Sequence, residues 1–90
     1  MAQNSPNPFN PSTTIDYEVP QANSSSVNLS VFDIAGRLVR TLANGRADPG
    51  RHSVFWDGTD DSGRVLPSGV YFYRLQSGDY SKTRKMVLLK

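Results

Sequence analysis

The chain has 90 residues, a formal net charge of +2 and no cysteine, so disulfides and thiolate metal centres are excluded. Its one histidine, His52, excludes a multi-histidine zinc site, and the charge is too small to point to nucleic acid. With 37% apolar and 20% charged residues, it has the composition of one folded domain, burying roughly 64% of its extended surface and leaving little room for a deep catalytic cleft.

No run approaches the apolar length of a membrane-spanning helix, so no transmembrane segment is expected. Residues 1–3 carry neither a basic stretch nor an apolar run, so they read as a linker remnant or an added start and not as a secretion signal. The domain is expected over residues 4–90. Asn4 to Pro11 holds three prolines in eight residues, which makes it extended, an edge strand at most, with Phe9 as its only apolar anchor. Thr13 to Val19 alternates, with Ile15, Tyr17 and Val19 on one face. Asn23-Ser24-Ser25-Ser26 reads as a polar turn. Val27, Leu29 and Val31 alternate next, and the strand is closed by Phe32-Asp33-Ile34. Ala35-Gly36-Arg37 turns the chain into a short strand over Leu38–Leu42. A turn-rich loop from Asn44 to Gly50 leads to His52, Val54 and Trp56 in phase. A polar loop from Asp57 to Gly69 follows. Val70 to Gln76 is the most β-prone run. Ser77-Gly78-Asp79 folds it back, antiparallel, onto a last strand from Tyr80 to Leu89. Gly36, Gly58, Gly63 and Gly69 are expected to serve these turns. Short period-2 runs between turn residues predict an all-β, immunoglobulin-like antiparallel sandwich of about seven strands.

Four stretches in order carry a family resemblance. They are Asn7-Pro8-Phe9-Asn10-Pro11-Ser12-Thr13-Thr14-Ile15, Leu29 to Val39, Trp56-Asp57-Gly58 through Gly63 with Pro67-Ser68-Gly69-Val70-Tyr71-Phe72-Tyr73-Arg74-Leu75, and Lys85-Met86-Val87-Leu88-Leu89-Lys90. Together they resemble the type A C-terminal sorting domains of the type IX secretion system. The Trp-Asp-Gly and Gly-Val-Tyr patterns also resemble the immunoglobulin-like domain of the flagellar hook-capping protein; the two ends of the chain favour the sorting domain. The resemblance implies a non-catalytic module that follows an N-terminal passenger domain, with Lys90 as its end. It implies folding in the periplasm and reading by an outer-membrane export translocon. Cleavage by a sortase-like peptidase and a final place at the cell surface or outside the cell are further implications.

Three clusters are candidates for function. Lys82, Arg84, Lys85, Met86, Val87, Leu88, Leu89 and Lys90 form a basic-apolar last strand. From Arg74 onward five basic residues meet one acid, a local charge of +4. This strand is the expected recognition surface, offering basic side chains and a free edge to a receptor. Lysines that merely guard an edge strand are the competing explanation. Asp57, Asp60 and Asp61 resemble a loose calcium loop without the EF-hand spacing. The competing explanation is a turn in which aspartates bond backbone N–H groups. Apart from that calcium, no cofactor is expected. Phe55 and Phe72 fall out of phase with their core neighbours, and an exposed row of the two would stack on sugar rings. The alternative classes are therefore a structural spacer or carbohydrate-binding accessory module of a secreted enzyme, and a hook-cap-like assembly domain. His52 has neither a nucleophile nor an orienting acid named by the sequence, so no catalysis is expected.

Overall fold

Six strands follow one another: β1 (Thr13–Val19), β2 (Val27–Phe32), β3 (Leu38–Gly45), β4 (Gly50–Trp56), β5 (Gly69–Ser77) and β6 (Tyr80–Leu88). The computed structural model describes residues 1–20 and 26–89. Most of the polar turn expected at Asn23-Ser24-Ser25-Ser26 lies outside them, as does Lys90. All pairings are antiparallel, in a four-stranded sheet ordered β3-β2-β5-β6 and a two-stranded sheet β1-β4. This is the expected immunoglobulin-like sandwich, with six strands among the described residues where about seven were predicted.

Alternation builds the core. Ile15, Tyr17 and Val19 of β1 face Val27, Leu29 and Val31 of β2, Tyr71, Tyr73 and Leu75 of β5, and Met86 and Leu88 of β6, with Trp56 of β4 and Phe9 completing the cluster. Strand β5 lies between β2 and β6; its inner face is buried at Tyr71, Tyr73 and Leu75, and its outer face is half-buried at Val70, Phe72 and Arg74. Tyr71 donates its hydroxyl to the Pro67 carbonyl at 2.7 Å, a bond four residues back that pins the entry to β5 as a tyrosine corner does. Burial, and then the nearby Asp33 charge, push the Tyr71 phenol above its ordinary pKa.

The N-terminal segment is extended, as expected, and among the described residues it forms isolated bridges and no named strand. Ser5 makes one antiparallel bridge to Thr14, and Phe9 makes one parallel bridge to Leu88. Pro6, Pro8 and Pro11 lack an N–H, so no continuous ladder can form. The segment is an arm that crosses from the edge of β1 to the edge of β6. Strand β3 is longer than predicted, running to Gly45, and Gly50 already belongs to β4, so the loop shrinks to residues 46–49. Register shifts fall between Leu29 and Ser30 and between Val31 and Phe32, where Leu42 and Val39 are the extra residues. The first bulge inverts the side-chain phase of β3, placing Arg40 opposite Val31, and the second restores it at Leu38.

Candidate functional site

Strand β6 divides its side chains by parity. Lys82, Arg84, Met86 and Leu88 share one face; Lys85, Val87 and Leu89 share the other. Met86 and Leu88 are fully buried, so the inner face is core at its C-terminal half. Lys82 and Arg84 therefore do not share a face with Lys85. Arg84 is half-buried, and its Nε donates to the Met1 carbonyl at 2.8 Å.

The outer edge of β6 is not free over its last residues. Phe9 N–H donates to the Val87 carbonyl at 3.0 Å and Leu89 N–H donates to the Phe9 carbonyl at 2.9 Å. Val87 N–H donates to the Asn7 side-chain oxygen at 3.0 Å, and Gln3 Nε2 donates to the Lys85 carbonyl at 2.8 Å. The arm is itself anchored: Asn4 N–H donates to the Tyr73 hydroxyl at 2.8 Å, and that hydroxyl donates to the Ala2 carbonyl at 3.0 Å. The buried Asn4 side chain bonds Pro6 and Thr13. The free edge expected at this end is therefore occupied by the chain's own N-terminus. Gln3 and Asn4 were not singled out from the sequence, and Asn7 entered only as part of the family motif. Their partners lie about 70 to 80 positions away, and no local periodicity encodes such a contact.

The Trp56-Asp57-Gly58 motif organises the second cluster. Trp56 is buried, and its indole N–H donates to the Thr59 carbonyl at 2.9 Å. Asp57 accepts from Thr59, chiefly through the threonine hydroxyl, and its carboxyl is held below the ordinary aspartate range. Gly58 has φ of 80° and packs under Pro11 and Leu88, where a Cβ would lie 3.0 Å from the Pro11 carbonyl oxygen. Asp60 accepts from the N–H groups of Ser62 and Arg64, and Asp61 accepts from Thr41 N–H at 3.1 Å. Arg40 sits among the carboxylates, 3.9 Å from Asp57 and 3.7 Å from Asp61, and donates to Thr59 Oγ1 at 2.8 Å. Among the described residues no three acidic or histidine side chains converge on one point. The loop's negative charge is met by a guanidinium and by backbone N–H groups. The expected result of adding millimolar calcium is an unchanged melting temperature in differential scanning fluorimetry; a rise of several degrees would assign the loop a cation.

The same bonding gives a pH prediction. Asp33 and Asp60 are both held below the ordinary aspartate range, first by the N–H groups of Arg37 and Arg64 respectively. A depressed folded-state pKa stabilises the fold above the unfolded pKa, and that stabilisation is lost as pH falls through the folded value. The double variant D33N/D60N should therefore be less stable than the parent at neutral pH. In urea melts the two should converge as pH drops below the aspartate range. A gap that stays constant with pH would contradict this.

Phe55 and Phe72 are not brought together. Phe55 is 63% exposed on β4, opposite Thr14. Phe72 is half-buried on β5, between Phe32 and Lys85. They lie on the outer faces of different sheets, so no shared stacking row exists. His52 stacks on Tyr17 with ring centroids 5.4 Å apart, and Nε2 lies 2.7 Å from the Asp48 carbonyl.

Comparison with known proteins adds three findings. The pattern of the FlgD Ig-like domain family matches residues 4–81. Curated relatives are the basal-body rod modification protein FlgD of Salmonella typhimurium, 37% identical over 51 residues, and that of Escherichia coli, 37% identical over 59. The aligned stretches take in 57% and 66% of this chain, but only 22% and 25% of those proteins. Among solved structures, P. aeruginosa FlgD is 31% identical with a TM-score of 0.63, over 84% of this chain and 57% of that one. Two Porphyromonas gingivalis proteins share the fold at lower identity. PorZ, a surface component of the type IX secretion system, is 20% identical with a TM-score of 0.64 over 98% of this chain and 11% of its own. Dimeric latent PorU is 24% identical with a TM-score of 0.74 over 97% of this chain and 9% of its own.

Proposed function

We propose, from the premise that this chain belongs to the FlgD Ig-like domain family, that it is a non-catalytic sorting module of the type IX secretion kind. It would carry an N-terminal passenger across the outer membrane to the cell surface or the medium. The observation that carries this reading is the meeting of the two ends that distinguish the sorting pattern. The Asn7-Pro8-Phe9 segment lies along Val87 and Leu89 and bonds both. A folded address built from both termini requires the whole domain to be intact before it is read, and that suits export of a folded protein. The docking surface would be the exposed part of the β5–β6 hairpin, with Lys82 on one face of β6 and Lys85 on the other, and the partners would be the export translocon and a sortase-like peptidase.

The test is a reporter fused ahead of this chain in a host that has the type IX system. Appearance of the reporter at the surface or in the medium is expected, and K82E/K85E should lower it without changing the melting temperature. A folded fusion retained in the periplasm would overturn the reading. That result would favour the second one, an assembly domain like that of the hook-capping protein, which the identity to FlgD supports.

A further inference from the structure

The two sheets have four outer edges, those of β1, β4, β3 and β6, and the chain itself bonds to three of them. The arm bonds β6 through Phe9 and Asn7. It also bonds β1: Ser5 exchanges both backbone hydrogen bonds with Thr14, at 3.0 Å each, and Ala2 N–H donates to the Asp16 carbonyl at 3.1 Å. On β3, Asp61 N–H donates to the Val39 carbonyl at 3.0 Å, and the Asp61 carboxylate accepts from Thr41 N–H at 3.1 Å. Strand β4 pairs with β1 alone. Among the described residues no other backbone group bonds its far side. The strand contains neither a proline nor a lysine, two residues that commonly guard an edge.

The bonding of β1 fixes what β4 presents there. Thr14 and Asp16 turn their backbone groups toward the arm and away from β4. Each therefore forms a non-hydrogen-bonded pair with the residue opposite, and those residues, Phe55 and Ser53, turn their own N–H and C=O groups to the far side. Arg51, two residues along, does the same. Burial marks the same gap. Ile15 and Tyr17 are 0% and 8% exposed, yet Val54 and His52, directly opposite them on the inner face, are only half-buried. On the outer face Arg51 and Phe55 are both exposed.

We propose that β4 pairs antiparallel with β4 of a second copy, about a two-fold axis at Ser53, joining the two-stranded sheets into one. In this register Arg51, Ser53 and Phe55 lie opposite the partner's Phe55, the partner's Ser53 and the partner's Arg51, and each pair exchanges main-chain hydrogen bonds. The side chains match on both faces. Outside, each Arg51 guanidinium meets the partner's Phe55, a cation–π pair that covers the exposed ring. Inside, each Val54 meets the partner's His52 and closes the open flank of the core. Centring the axis on Arg51 or on Phe55 would set like residues against each other and shorten the ladder. A single strand edge is a small contact, so the dimer is expected to be weak and to depend on concentration. The inference does not depend on the export reading, and either stands if the other fails.

The experiment follows the ¹⁵N-labelled chain from micromolar to millimolar concentration by analytical ultracentrifugation and by amide hydrogen exchange. A monomer–dimer equilibrium is expected, in which the N–H groups of Arg51, Ser53 and Phe55 gain protection as concentration rises. Those of His52 and Val54, already bonded to β1, should be protected at every concentration. F55R sets arginine against arginine across the axis and should weaken dimerisation at least tenfold. Its melting temperature in dilute solution should stay within a degree or two of the parent, because the site is exposed. R51F/F55R exchanges the two residues, restores the arginine–aromatic pair in this register alone and should recover the dimer. If a variant unfolds, the alternating protection in the parent still decides. A chain that is monomeric at millimolar concentration would overturn the proposal and leave the edge to a strand of another protein. Protection gained on β3 or β6 instead, undiminished dimerisation of folded F55R, or no recovery in folded R51F/F55R would overturn it as well.

Discussion

Phe9→Ala is expected to destabilise the fold by about 3–5 kcal/mol, the range for truncating a buried aromatic. Phe9 is 1% exposed, and its ring centroid is 5.5 Å from that of Trp56. In a domain of this size, that loss lowers the melting temperature by at least about 12 °C. The effect has a local signature too. Val87 N–H and Leu89 N–H bond to the arm, through Asn7 and Phe9. Removing the ring that seats the arm should speed hydrogen exchange at these two amides beyond the change in global stability. Phe9→Leu keeps much of the volume and should lie between parent and alanine variant. A melting temperature within a degree or two of the parent would show that the arm is not part of the cooperative core. Unchanged protection at Val87 and Leu89 would show that the ring does not hold it.

Trp56→Ala should cost a similar 3–5 kcal/mol, and more if the cavity fails to collapse. Trp56 is the largest of the fully buried side chains and touches Phe9 at 5.5 Å and Tyr71 at 5.8 Å between ring centroids. Its N–H also fixes the Thr59 carbonyl, inside the Asp57–Gly63 loop. Trp56→Phe retains the aromatic contacts but frees that carbonyl. Arg40 still reaches it at 3.4 Å, so the phenylalanine variant should lose less. Circular dichroism is the required readout, because Trp56 is the chain's one tryptophan. Equal stability of the alanine and phenylalanine variants would mean that the indole N–H, and not packing, dominates.

Legibility of the fold followed the strength of the period. The faces of β1 and β5 were readable because one residue in two is buried along each and each run ends at a turn residue. Strand β3 was read short because its two bulges break the alternation, and a pattern search sees only the break. The glycines of the Trp-Asp-Gly and Asp-x-x-Gly-Arg stretches were recognisable as turn residues. The family resemblance found the ends of the chain without showing that they touch.

The candidate sites were less legible for the same reason. Three aspartates near a glycine have one spelling whether they hold a cation or backbone N–H groups. The arrival of Arg40, turned inward by a bulge in β3, sets a guanidinium beside Asp57 and Asp61, which no local spacing announces. Phe55 and Phe72 looked alike as out-of-phase aromatics, yet sheet assignment sends them to opposite sides.

By itself the sequence determined the class of fold, the inner faces of the regular strands, and the absence of disulfide and multi-histidine chemistry. These depend on residue type and local spacing, which the chain carries directly. Only the tertiary structure decided that the proline-rich start closes the edge of the last strand. Only it decided that the basic residues of that strand divide between two faces. Each of those depends on contacts between residues far apart in the chain, whose geometry exists only once the two sheets have packed.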